Sequence, residues 1–308
     1  MIKVESLHRS FGKVQALQGI SFKAAAGRII GLIGPNGAGK TTAMRILATL
    51  ETPDNGQAWI DGHPVSEEPD QIVLKVGFMP DCFGNYPGLR VHEYLEFFAR
   101  IYGLHGATRR KILDEVINFT ELTKLLDRPM EGLSKGMRQR LGLAKTLLHD
   151  PKVLILDEPA AGLDPRARIE FRELCVALAG RGKTLLISSH ILSELGEFCD
   201  SIVILEQGRV VAAGSMAEVQ QQSRPHMEIA ARFLMEKPGI QTLLAESPFV
   251  RNVHLDGRLT RFAFTGNEEQ LGELAAQLIE SGHRFSTFHC VEERLEDVFM
   301  KLTRGDVQ

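Results

Sequence analysis

The chain has 308 residues, 44% of them hydrophobic and 24% charged, and a formal net charge of −3. That composition excludes a disordered chain and leaves room for two domains, while the charge gives no global attraction to nucleic acid or anionic lipid. No apolar run approaches the ~18 residues that a membrane-spanning helix needs.

The amino terminus, Met1 to Leu7, reads as a strand carrying Lys3 and Glu5, without the apolar core of a secretory signal. The expectation is a chain on the cytoplasmic side, reaching a membrane only through a partner. Further strands are predicted over 14–22, 28–33 and 57–60, and a helix from about Gly39 to Leu50. Helical periodicity then runs through 91–149, with Val91, Leu95, Phe98 and Tyr102 in one stripe and Ile112, Val116 and Phe119 in another. Apolar strands and helices alternate from Lys152 to about Cys199, which calls for a largely parallel sheet covered on both faces. Asp164-Pro165 predicts a helix start, Gly180 and Gly182 its end, and 201–214 a hairpin turning at Gln207-Gly208. The polar run 220–225 is the candidate linker. Beyond it the order strand 226–234, helix 238–246, strand 249–255, strand 259–265, helix 267–281 and strand 284–290 is that of a ferredoxin-like α+β domain, with a last helix over 292–303. The predicted division is 1–219, with a helical subdomain at about 82–150, and an accessory domain at 226–308. The scattered Cys82, Cys175, Cys199 and Cys290 have no metal-ligand spacing and read as buried, reduced thiols.

The chemistry is concentrated in a few short segments. Gly34-Pro35-Asn36-Gly37-Ala38-Gly39-Lys40-Thr41 fits G-x-x-x-x-G-K-[ST], between an apolar strand and a helix, and Thr42 follows it. Glycines let backbone N–H groups approach phosphate oxygens, Lys40 sets an ammonium against the terminal phosphates of a nucleotide, and the Thr41 hydroxyl is a ligand for Mg²⁺. Val153-Leu154-Ile155-Leu156-Asp157-Glu158 is a buried strand that delivers two carboxylates at its carboxyl end. Asp157 is suited to hold Mg²⁺ and Glu158 to orient or deprotonate an attacking water.

Leu133-Ser134-Lys135-Gly136-Met137 resembles the signature of the ABC ATPases, a family of P-loop NTPases. Ala161-Gly162-Leu163-Asp164 is similar to their D-loop, Ser188-Ser189-His190 to their switch histidine, and Phe11 to the aromatic that stacks on adenine. The resemblance covers about residues 1–215. It implies that Ser134 and Gly136 bind a phosphate of ATP held by a second copy, in a head-to-tail homodimer. It also implies that His190 contacts the γ-phosphate and that the partner is a polytopic membrane permease, with no nucleic acid. Beside these stand plainer roles: a helix N-cap for Ser134, a helix start for His190, and core packing for Phe11.

Two positions depart from the family. Asp81 stands where the family has Gln, so it is a candidate Mg²⁺ ligand that adds charge beside the phosphates, and Lys135 and Met137 replace Gly and Gln. Phe83, Tyr86, Tyr94, Phe97, Phe98 and Tyr102 follow Asp81, in the region where the family receives its membrane partner; the plainer role is the packed core of a helical subdomain, with the helix stripe mostly core and Phe83 and Tyr86 nearer the surface. The ending Leu295–Thr303 resembles subunits of ABC-2 type exporters. Two other readings remain open: a soluble ABC ATPase working on nucleic acid or ribosomes, and a weakly hydrolysing ATP-gated module.

Overall fold

A computed structural model of the chain describes residues 1–82, 84, 86–196, 198–222, 227–235 and 239–291. It divides into two compact units, Met1–Val219 and a second beginning at Gln220.

The first unit holds β1 (Ile2–Phe11), β2 (Val14–Ala24), β3 (Ile29–Ile33), α1 (Lys40–Leu47), β4 (Asn55–Ile60), β5 (His63–Pro64), α2 (Pro69–Lys75) and β6 (Val76–Met79). There follow α3 (Val91–Ile101), α4 (Gly106–Phe119), α5 (Lys135–Leu147), β7 (Val153–Leu156), α6 (Pro165–Gly180) and β8 (Thr184–Ser189). It ends with α7 (Leu192–Gly196), β9 (Ser201–Glu206), β10 (Arg209–Gly214) and the first four residues of α8 (Met216–Gln222). The strands form two sheets, an antiparallel one ordered β2-β1-β4-β5 and a larger one ordered β10-β9-β3-β8-β7-β6. Within the larger sheet β9, β3, β8, β7 and β6 run parallel, and β10 returns antiparallel at the edge. Every residue of β3, β7 and β8 is buried, as a parallel strand covered on both faces requires. One core joins the two sheets around α1, through Leu7, Ile20, Met44, Ile46, Ile155 and Leu205.

The hairpin turns at Gln207 and Gly208, both left-handed (φ 47° and 74°), the backbone that a two-residue hairpin loop demands. The helix begins at Asp164, whose carboxylate accepts the Ala167 N–H at 2.9 Å. On α3, Val91, Tyr94, Leu95 and Ala99 are buried, while Phe97 stands out in solvent. Tyr86 is half-buried, nearer the surface than Tyr94, to which it stands edge-on with ring centres 5.3 Å apart. Phe83 lies outside the described residues. The linker expectation also changes, since 220–222 are the last turn of α8 and 223–225 lie outside the described residues. The four cysteines are free, but only Cys175 is fully buried, and Cys82 is exposed, against the expectation of four buried thiols.

The second unit contains β11 (Met227–Phe233), α9 (Ile240–Glu246), β12 (Val250–Asp256), β13 (Leu259–Phe264), α10 (Glu268–Glu280) and β14 (Phe285–Cys290). Its antiparallel sheet has the order β12-β13-β11-β14. The β-α-β-β-α-β succession with that order is the ferredoxin-like arrangement read from the sequence. Ile229, Phe262 and Phe264 from the sheet meet Leu244, Leu274 and Leu278 from the helices in its core. The helix expected over 292–303, and the exporter-like ending with it, lie outside the described residues.

Candidate nucleotide site

The parallel register brings four strand ends to one edge of the sheet. Ile33 pairs with Ser189, Leu156 with Ile187, and Met79 with Leu156. The residues just past these ends are therefore neighbours: Gly34, Asp157-Glu158, His190 and Pro80-Asp81. This is the edge of an open α/β sheet where ligands bind.

The loop from Gly34 to Gly39 is shaped by close approach as well as by freedom of φ. A Cβ on Gly34 would overlap the Leu205 carbonyl oxygen, and one on Gly39 (φ 101°) would come 2.8 Å from Leu17 Cδ2. Gly37 also has a left-handed backbone, φ 82°, with Asn36 and Gly37 exposed and Ala38 buried beneath them. Lys40, at the first position of α1, is 5% exposed. Its Nζ donates to the carbonyl of Gly34 at 2.7 Å and of Pro35 at 3.1 Å, and lies 3.4 Å from Glu158 Oε1. Glu158 Oε2 is 2.8 Å from His190 Nδ1. Ammonium, carboxylate and imidazole thus form one chain across three strand ends. Glu158 sits in the left-handed region (φ 48°), a strained backbone for a non-glycine residue.

Ser188 holds that strained turn, and sequence reasoning missed its role. Its buried hydroxyl donates to Asp157 Oδ1 at 2.6 Å and accepts the Glu158 N–H at 2.7 Å. Asp157 is itself buried, with its N–H on the Met79 carbonyl at 2.9 Å. Two serines in a row at the end of an otherwise apolar strand were the signal available in the sequence.

Thr41, Asp81 and Asp157 line one cavity of about 610 Å³. Among the described residues no three His, Cys, Asp or Glu side chains cluster as a metal site. Mg²⁺ does not need one, because it is bound through one or two carboxylates with phosphates and water. The donor set fits: two carboxylates and a hydroxyl on one cavity. Asp81 is exposed, and Cys82 Sγ donates to its Oδ1 at 3.4 Å. That contact pushes the Cys82 thiol above its ordinary range.

The remaining candidates are not part of this cluster. Phe11 is 46% exposed with the Arg9 guanidinium 4.8 Å over its ring, so it is not a core residue. Ser134 is the N-cap of α5, accepting the Met137 N–H at 3.3 Å, and stays exposed. Gly136 packs on α6, where an added Cβ would come 3.1 Å from Ala167 Cβ. Lys135 lies over Gly162, its Nζ 2.8 Å from where a Cβ would stand. The signature-like and D-loop-like segments therefore pack on each other, and none of the contacts among the described residues joins Ser134 or Gly136 to Lys40.

Residues 17–161 match the ABC transporter family model. The Nod factor export ATP-binding protein I of Ralstonia nicotianae is 33% identical over 310 residues, covering 100% of this chain and 95% of that protein. The chain belongs to the ABC transporter family. The daunorubicin resistance ATP-binding protein DrrA3 of Streptomyces coeruleorubidus is 32% identical, covering 99% of this chain and 96% of its own length. Among solved structures, cbiO1 from Clostridium perfringens, part of the ABC transporter complex cbiONQ, superposes with a TM-score of 0.65 and 29% identity over 72% of this chain and 90% of its own. A cassette in a post-hydrolysis dimer bound to ADP and Pi gives 0.63 and 26% over 70% of this chain and 99% of its own. This ABC chain is an ATPase with the P-loop fold of those cassettes. Among its described residues no helix is long and apolar enough to cross a membrane.

Proposed function

We propose that this ATPase is the motor of an ABC-2 type exporter, coupling head-to-tail dimer closure on Mg-ATP to substrate movement through a separate membrane subunit. The observation that carries the hydrolytic part is the chain Lys40–Glu158–His190, closed within 3.4 Å at the sheet edge. Glu158, held by its backbone bond to Ser188, orients a water and takes its proton as the water oxygen attacks the γ-phosphorus and the bond to the β–γ bridging oxygen breaks, ADP leaving with that oxygen. Lys40, fixed by two loop carbonyls, draws negative charge toward the β- and γ-phosphates. His190 steadies the Glu158 carboxylate through Nδ1 and offers its other nitrogen to the γ-phosphate. The loop Gly34–Gly39, with Thr41 and Thr42 opening α1, donates backbone N–H groups to the phosphates. The exposed ring of Phe11 stacks on adenine. Thr41, Asp157 and Asp81 would hold Mg²⁺, which when bound offsets phosphate charge.

Ser134 and Gly136 stand at a helix start, where free N–H groups suit a phosphate, yet they make no contact with the Lys40 cluster. A second copy supplies each site with the missing half, and the dimeric cassettes among the structural relatives support that arrangement. The exporter reading rests on relatives that share the whole length and are named for Nod factor export and daunorubicin resistance. On this reading the chain works at the cytoplasmic face of a membrane.

The test is affinity purification of Glu158→Gln protein from native membranes in Mg-ATP. A multi-span membrane protein recovered in matching amount is the expected result. Nucleic acid, ribosomes or soluble protein alone would leave the ATPase standing and remove the transporter reading.

A further inference from the structure

Behind the Glu158–His190 pair lies a second run of polar groups. Ser189 is buried at the end of β8. Its hydroxyl accepts the Ile191 N–H at 2.9 Å and donates to Glu194 Oε2 at 2.8 Å. Its carbonyl accepts the Gly34 N–H at 3.3 Å, at the mouth of the phosphate loop. The Glu194 side chain is 3% exposed, and its Oε1 lies 3.2 Å from the Arg168 guanidinium. Arg168, in the first turns of α6, also donates to the Leu163 carbonyl at 3.5 Å. Glu194 rides on α7, which Leu192 and Leu195 anchor in the core, Leu195 against Gly31 of β3.

A short helix start does not require a charged side chain to be withdrawn from water, and the desolvation of a carboxylate is costly even when it is paired. The arrangement gives something else for that cost. The residues on both sides of His190 are clamped, Ser189 through its hydroxyl and carbonyl and Ile191 through its N–H. The clamp is tied through Arg168 to the segment that follows Glu158.

We propose that Glu194 is a positioning residue for ATP hydrolysis. With Ser189 it fixes the backbone on either side of His190, and with Arg168 it links that backbone to residues 161–164. The inference rests on the reading of His190 as a group of the reaction. A loosened clamp lets the imidazole leave Glu158, and displacement by about an ångström from a working geometry costs on the order of a hundredfold in rate.

The test is steady-state ATP hydrolysis by Glu194→Ala, Ser189→Ala, the double variant, Glu194→Gln and His190→Ala, assayed well below each variant's melting temperature. The expected result for each alanine single is a fall in kcat of about ten- to hundredfold with KM for ATP within about twofold. The double variant should be no worse than either single, because both remove the same linkage. Glu194→Gln keeps an oxygen for the Ser189 hydroxyl but loses the charge facing Arg168, so its kcat should lie between that of Glu194→Ala and that of the native protein. Native kcat in both Glu194→Ala and Ser189→Ala, beside an inactive His190→Ala, overturns the positioning role and leaves the site reading intact. Native kcat in His190→Ala overturns the reading of His190 and this inference with it. Multiplying losses in the double variant, or losses confined to KM, also overturn it.

Discussion

Replacing Ser188 by Ala tests the least visible part of the site. The substitution removes one hydroxyl that makes two bonds, a donation to the buried Asp157 carboxylate at 2.6 Å and an acceptance from the Glu158 N–H at 2.7 Å. Ser188 is 1% exposed and Asp157 2%, so bulk water has little access to either replacement bond. A bond to a charged group contributes roughly 1.5–3 kcal/mol, and an orphaned backbone donor costs roughly 1–3 kcal/mol, which together predict a loss of roughly 2–4 kcal/mol after local relaxation. For a unit the size of Met1–Val219 that corresponds to a melting temperature lower by about 5 to 15 °C. Activity should fall too, because the Glu158 N–H bond helps hold a left-handed backbone (φ 48°) that would otherwise relax and move the carboxylate. Thermal unfolding followed by circular dichroism, with ATPase rates on the same preparations, reads both effects. A melting temperature within about 2 °C of the native protein, with native kcat, would mean that Ser188 is not what holds this turn.

Three further predictions concern separate links. Asp81→Gln should change the ATPase rate, since it replaces a candidate Mg²⁺ ligand and a charge on the cavity shared with Thr41 and Asp157; equal rates would remove Asp81 from the mechanism. Gly34→Ala forces a methyl group onto the Leu205 carbonyl, and overpacking of that kind costs about 1–3 kcal/mol. Its affinity for a fluorescent ATP analogue should drop at least about tenfold through distortion of the loop, and native affinity would show that the loop yields elsewhere. Asp61 accepts from Lys152 and Lys75, each at 2.9 Å, and these bonds hold its carboxyl down to about 2. A depressed folded-state value gives stability that is complete above the unfolded value of 3.8 and is lost as the pH falls toward about 2. Asp61→Asn should therefore unfold less steeply with acid between those values; an unchanged acid profile would count against the pairing.

The parts of the site that could be read from the sequence are those whose chemistry fixes residue type. A phosphate loop needs its glycines and Lys40, and a buried strand ending in Asp157-Glu158, weak evidence by itself, gains its meaning from that loop upstream. Groups that act through partners far along the chain could not be read that way. Ser188 meets Asp157 across 31 residues, and Arg168 meets Glu194 only because α6 and α7 lie beside β8. Among the elements, β6 was hidden because it is four residues long and contains Gly77. That glycine is there for packing, since a Cβ would come 2.6 Å from Thr146 Cγ2 and 2.9 Å from Pro151. The helix α8 did leave a signal. Ser215 and Glu218 form the reciprocal bonds of a capping box, Glu218 Oε2 accepting the Ser215 N–H at 2.7 Å and Ser215 Oγ accepting the Glu218 N–H at 3.3 Å. The three glutamines that follow outweighed that signal and read as a linker. Tyr94, in the aromatic region that follows Asp81, is fully buried because α3 turns it inward beside Leu95.

The packing of Lys135 over Gly162 and of Gly136 against Ala167 bears on how two copies would communicate. The signature-like segment and the 161–164 segment cannot shift independently: a displacement of α5's first turn presses directly on α6. Arg168 and Asp164 belong to the opening turns of that same helix, so the motion reaches Glu194, and through Ser189 both the backbone at His190 and the Gly34 N–H at the start of the phosphate loop. On the dimer reading, closure against a second copy would thus reset His190 in the chain that receives the contact. The order of events is testable by spectroscopy. A probe beside His190 should report dimer closure in Glu158→Gln protein before any phosphate is released, and Glu194→Ala should uncouple the probe from closure while leaving dimerisation intact. A probe that still follows closure in Glu194→Ala would mean that the message travels by another path.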